Sequence, residues 1–133
     1  MTFSRILLGF TGLAFAGYGV YCALDLDVVM RTTTIAFRTS AGAVEARAMY
    51  GGLQTGLGLV FINAAVNSRL TAYGLVVMIF TLGGLALGRT LGITIDRIDD
   101  YNAGALAYES VSALLACFAL WRERRTSTAA LFG

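Results

Sequence analysis

Residues 70–93 read LTAYGLVVMIFTLGGLALGRTLGI, a run interrupted by a single charge, Arg89. A helix rises about 1.5 Å per residue, so ~20 apolar residues cross the ~30 Å hydrocarbon layer of a bilayer. Residues 6–24, 42–66 and 101–121 have the same character. The chain of 133 residues is 57% hydrophobic and 14% charged, whereas a soluble domain covers its core with about a quarter charged residues. The mean hydropathy of +0.73 points the same way. The sequence therefore predicts an all-α fold, a four-transmembrane-helix bundle forming a single membrane domain over residues 1–133.

The connections differ in kind. Asn67-Ser68-Arg69 reads as a tight turn, and Asp96-Arg97-Ile98-Asp99-Asp100, together with Asn102, as a solvated polar one. Residues 25–39 are longer and patterned. Leu26, Val29, Met30, Thr33 and Phe37 recur at helical spacing, with Asp27 and Arg31 four apart on the other side. This predicts a short amphipathic helix in the interface between the first and second spans, with an ordinary loop as the alternative. Ser40 is the expected cap of the second span. Ala14-Phe15-Ala16 resembles a signal-peptide cleavage box, but the apolar run continues beyond it, and the segment is expected to stay as a helix.

Arginines set the expected orientation. Arg5, Arg69, Arg122, Arg124 and Arg125 fall on one side, and Arg31, Arg38 and Arg97 on the other with all the aspartates. Basic residues near span ends favour the cytoplasm, which predicts a plasma-membrane protein with both termini inside. Trp121 stands where an interfacial anchor belongs.

Absent residue types exclude much chemistry. Without histidine there is no imidazole base or ligand, and without lysine no Schiff base; every cation is an arginine. Cys22 and Cys117 form no CxxC motif and are expected at opposite membrane faces, beyond disulfide reach. No metal and no cofactor is expected. A net charge of +2 gives no case for nucleic acid.

Small residues are striped. Gly12 and Ala16 lie on the first span, Gly52 and Gly56 on the second, and Gly84, Gly88 and Gly92 on the third. Such stripes let helix backbones approach, and the expectation is internal packing, with contact to a second copy left open. The polar residues within the spans also cluster. Glu45, Arg47, Tyr50, Gln54, Arg89, Asp96, Tyr108 and Glu109 all fall in the outer half of the predicted bundle. On α-helical spacing Arg47, Tyr50 and Gln54 share a face, and Glu109 shares one with Ala105, Ser112 and Ala116. Charges in a bilayer persist when paired, so Arg89 is expected to pair with Glu109, and Arg47 with Glu45 or Asp96. Glu45 is also favoured by the dipole at its helix start. Glu109 and Glu45 are the candidate acid/base groups if the cluster is catalytic.

The run Glu45-Ala46-Arg47-Ala48-Met49-Tyr50-Gly51-Gly52, continuing to Gly56-Leu57-Gly58, resembles a family of small bacterial four-helix membrane proteins classified only as a domain of unknown function. The resemblance extends to Gly88-Arg89, Asp96 and Glu109. It implies the same fold and marks Glu45, Arg47, Tyr50, Arg89 and Glu109 as characteristic polar positions, and it implies no activity. Three functions fit the sequence. In order, they are a non-catalytic accessory subunit of a larger membrane complex, bound to a membrane-protein partner or to its own copies; a small membrane enzyme acting on a lipid-like substrate; and an oligomeric transporter or channel.

Overall fold

Lipid tails are as apolar as leucine, so helices in a bilayer associate by close van der Waals contact, and glycine permits the closest approach. The computed structural model, which describes residues 3–96 and 99–132, contains five helices and no strand among those residues. They are α1 (Phe3–Leu24), α2 (Leu26–Thr33), α3 (Ser40–Val66), α4 (Thr71–Ile95) and α5 (Asp100–Phe132). By length and composition α1, α3, α4 and the Asp100–Arg125 part of α5 can each cross a membrane. Arg97, counted in the charge balance, lies outside the described residues.

Helix ends follow local chemistry. Asp25 caps α2 by accepting the Asp27 N–H, and Thr34, with φ 58, ends it in the left-handed conformation. This short helix buries Val29 and exposes Asp27 and Arg31, as the amphipathic pattern requires. Thr39 rather than Ser40 caps α3: its hydroxyl accepts the Gly42 N–H at 3.2 Å. Between α3 and α4 the Asn67 side chain accepts the Arg69 N–H, and the Thr71 hydroxyl donates to the Ala64 carbonyl.

Within α3 the residues Arg47–Leu53 form π-helical turns. Each such turn takes in an extra residue. Arg47, Gly51 and Thr55, four apart in steps, therefore all stay against α1: Arg47 bonds the Ala23 carbonyl, and Gly51 and Thr55 lie against Ala23 and Gly19. The same widening turns Tyr50 and Gln54 away from Arg47. The shared face expected from α-helical spacing does not exist.

α1 and α3 run antiparallel and make the most extensive contact in the bundle. A Cβ added at Gly12 would lie 2.8 Å from Ile62, at Gly19 2.5 Å from Thr55, and at Gly51 2.8 Å from Ala23. One added at Gly58 would strike the Ala16 backbone nitrogen. Arginines close both ends of this seam. Arg5 donates to the Ala65 and Val66 carbonyls at 2.6 and 3.0 Å, and Arg47 donates to the Ala23 carbonyl at 3.2 Å. Each helix thus satisfies carbonyls left over at the other's C-terminus, where the helix dipole also favours a cation.

The other small-residue stripes behave differently from expectation. Gly56, Gly84, Gly88 and Gly92 have nothing within 4 Å of an added Cβ, and Gly52 meets only its own helix. The physical reason is that Gly51 and Gly58, seven apart, occupy the face toward α1, which turns Gly52 and Gly56 outward. The α4 ladder faces a gap described below.

α4 and α5 form the second closely packed pair. The two pairs meet in one apolar core of Leu8, Phe15, Phe61, Leu75, Met78 and Leu82, with Ala116 and Ala119. All of these lie in the half of the bundle that carries Phe3 and the 67–70 turn. Ser4 adds a bond to Glu123 there, at 2.6 Å. Toward the opposite end, where α2 sits, the helix pairs diverge. The cysteines are both free; Cys22 is buried and Cys117 exposed.

Gly58→Ala forces a methyl into backbone and is expected to cost about 1–3 kcal/mol, the usual range for overpacking. Gly56→Ala meets open space and is expected to be neutral or slightly stabilising. Thermal unfolding of both variants in detergent checks the contrast.

Candidate functional site

Where the helix pairs diverge, α4 and α5 are held together by charge. Arg89 donates from Nε to Glu109 Oε2 at 3.0 Å and from Nη2 to Oε1 at 2.8 Å. This is the bidentate fork that suits guanidinium and carboxylate. The Glu109 side chain is 7% exposed and that of Arg89 20%, so removal of either partner strands the other in low dielectric. Arg89 Nη1 also donates to Asn102 Oδ1 at 2.5 Å, and the Tyr101 ring lies 5.7 Å from the guanidinium carbon.

Asn102 is itself fixed. Asp99 accepts its backbone N–H and its side-chain amide, each at 2.7 Å, which starts α5 and aims the Asn102 carbonyl at Arg89. Those donors hold the Asp99 carboxyl below its usual range, the backbone N–H first and the side-chain amide second. Sequence reasoning treated Asp99 and Asn102 as a solvated turn. The available signals were the cap spacing from Asp99 to Asn102 and the seven-residue step from Asn102 to Glu109, which puts both on one face.

Beside this network a cleft runs along α4, bounded by the start of α5 at one end and by α3 and Phe15 of α1 at the other. Its mouth is a cavity of about 540 Å³ lined by Arg89, Asp96, Asp99 and Asn102 together with Gly88 and Gly92. A second cavity of about 530 Å³ lies deeper, lined mainly by Phe15, Met49, Leu53 and Leu57, with Tyr50 and Gln54. The two share Gly84 and Leu85 and so form one cleft, polar at the mouth and apolar at depth. Each volume falls within the ~300–1,000 Å³ usual for ligand sites. The α4 glycines line it because side chains there would fill it.

The expected polar cluster therefore divides. Arg89 and Glu109 pair; Asp96, Tyr50 and Gln54 line the cleft. Glu45 is exposed on the first turns of α3 and lines neither cavity. Arg47 bonds a carbonyl of α1 in place of the expected carboxylate, because the π-helical turns aim it at the end of that helix. Tyr108 lies beside Thr11 and Ser112, away from the cleft. Among the described residues no group of acidic or cysteine side chains is placed to hold a metal ion.

The pattern of a family described as "Domain of unknown function (DUF4345)" matches residues 3–120. That match spans most of the chain, and the protein belongs to this family. Comparison with curated proteins and with solved structures found no match.

Arg89→Met is expected to destabilise the protein by ~3–5 kcal/mol, because it leaves a buried carboxylate unpaired. Arg89→Met with Glu109→Met is expected to recover most of that loss. Unfolding of the two single variants and the double variant in one detergent measures the coupling.

Proposed function

We propose that this family member is a non-catalytic, membrane-resident binding protein whose cleft holds an amphiphilic molecule of the outer leaflet. The observation that carries this reading is the cleft itself, charged at the mouth and apolar at depth. From Thr81 to Asp96 it follows α4 for roughly 20 Å, more than one leaflet's share of a ~30 Å hydrocarbon layer. Below it the bundle is filled by the apolar core. A groove that stops at the apolar core suits a lipid-sized occupant better than a helix that crosses the whole membrane.

A non-catalytic role draws support from Glu109. A general acid or base has to reach its substrate, and both Glu109 oxygens face Arg89. Glu45, the other candidate, lines neither cavity. The arginine bias supports an orientation in which the closed end and both termini lie on the cytoplasmic side of a bacterial inner membrane and the cleft opens outward.

A second reading is favoured by one observation. Gly84, Gly88 and Gly92 face open space in steps of four, a surface on which a partner's helix could seat as an accessory-subunit contact. Gentle detergent extraction followed by mass spectrometry separates the readings. A bound amphiphile supports the first, and a stoichiometric protein with an empty cleft supports the second.

Gly84→Leu projects a side chain where the two cavities meet, into space that is open in the fold. The variant is expected to keep its thermal stability and lose the co-purifying amphiphile. Equal retention by the variant and the parent protein overturns the reading.

A further inference from the structure

Among the described residues the charges at the cleft mouth do not cancel. Arg89 is matched by Glu109, and the Asp96 and Asp99 carboxylates are the other charges of the described lining. Asp99 is engaged with Asn102, whereas the Asp96 carboxylate has no hydrogen-bond partner among the described residues. At the two described carboxylates an anionic head group meets like charge, and a group bearing an ammonium meets its complement.

Arg89 supplies the second half of the recognition. A guanidinium has five N–H donors, and the bonds from Nε, Nη1 and Nη2 to Glu109 and Asn102 use three of them. The N–H groups left over belong to a side chain that lines the mouth and is 20% exposed. Phosphate is an oxyanion that guanidinium binds well, and Arg89 lines the same cavity as the Asp96 carboxylate. The mouth lining contains no aromatic ring. A quaternary ammonium cannot donate hydrogen bonds and is ordinarily held by aromatic faces, so this lining favours a primary ammonium.

Resting on the cleft reading above, we propose that the occupant is a zwitterionic phospholipid with a primary ammonium head group. Its phosphate lies toward Arg89, its ammonium toward Asp96, and one chain passes Gly84 into the apolar depth.

The experiment uses the full chain in detergent, offered an equimolar mixture of phosphatidylethanolamine, phosphatidylcholine and phosphatidylglycerol with identical acyl chains. Bound lipid is quantified by native mass spectrometry. The expected result is enrichment of phosphatidylethanolamine over both competitors, reduced about three-fold by Asp96→Asn, the size of effect an exposed ionic contact gives. Because Asp96 is exposed and outside the core, unchanged thermal unfolding of Asp96→Asn is the control for folding. Equal or greater retention of phosphatidylglycerol or phosphatidylcholine overturns the head-group assignment and leaves the cleft reading standing. So does an enrichment that Asp96→Asn does not change. Retention of no lipid at all, with Gly84→Leu indistinguishable from the parent, overturns both.

Discussion

The bidentate pair between Arg89 and Glu109 is the interaction on which the open half of the structure depends. In the other half an apolar core joins all four long helices. Near α2 that core does not extend among the described residues, and hydrophobic burial offers helices in lipid little reason to stay together. Two arginines fasten helices there, Arg47 to the end of α1 and Arg89 to α5. Each acts within one helix pair and neither acts between the pairs. The pairs are thus held as units, with Tyr108 beside Thr11 as a polar contact between them, and the cleft runs along α4 beyond the end of the apolar core.

That arrangement also explains the use of glycine. In the α1–α3 seam, glycines let two backbones touch, and an added methyl meets atoms that cannot move aside. On α4, Gly84, Gly88 and Gly92 keep a surface free of side chains and leave a cavity. The residue type is the same and both series keep to one helix face, in steps of seven in the seam and of four on α4, yet the roles are opposite. Only the neighbour decides between them, and a single sequence does not contain the neighbour.

The four spans were legible because a bilayer imposes a length and a composition that few other constraints imitate. The Arg89–Glu109 pair was legible for a related reason: each is the lone charge in a long apolar run, and such charges need each other. Arg47 was misplaced because its partner is a carbonyl at a helix end, and sequence reading pairs charges with charges. Tyr50 and Gln54 were grouped with it because the count assumed α-helical turns, and the π-helical stretch breaks that count. Asp99 and Asn102 read as solvated residues because polarity at a helix start is ordinary. Their reach toward Arg89 depends on how close α5 begins to the end of α4, which spacing along the chain does not disclose.

The division of the cleft constrains what can give it specificity. Its depth is bounded by Phe15, Leu53, Leu57 and Leu85, side chains that offer dispersion contacts to any hydrocarbon. Acyl chains are plentiful in a membrane, so occupancy of the depth discriminates poorly among lipids. Discrimination has to arise at the mouth, where Asn102 and Asp99 hold Arg89 in one orientation before any ligand arrives. A donor fixed in advance loses little freedom on binding, which is how a site with few polar groups can still select. Changes in the apolar floor would therefore alter how tightly the cleft is filled, and changes at Asp96, Asp99 or Asn102 would alter what fills it.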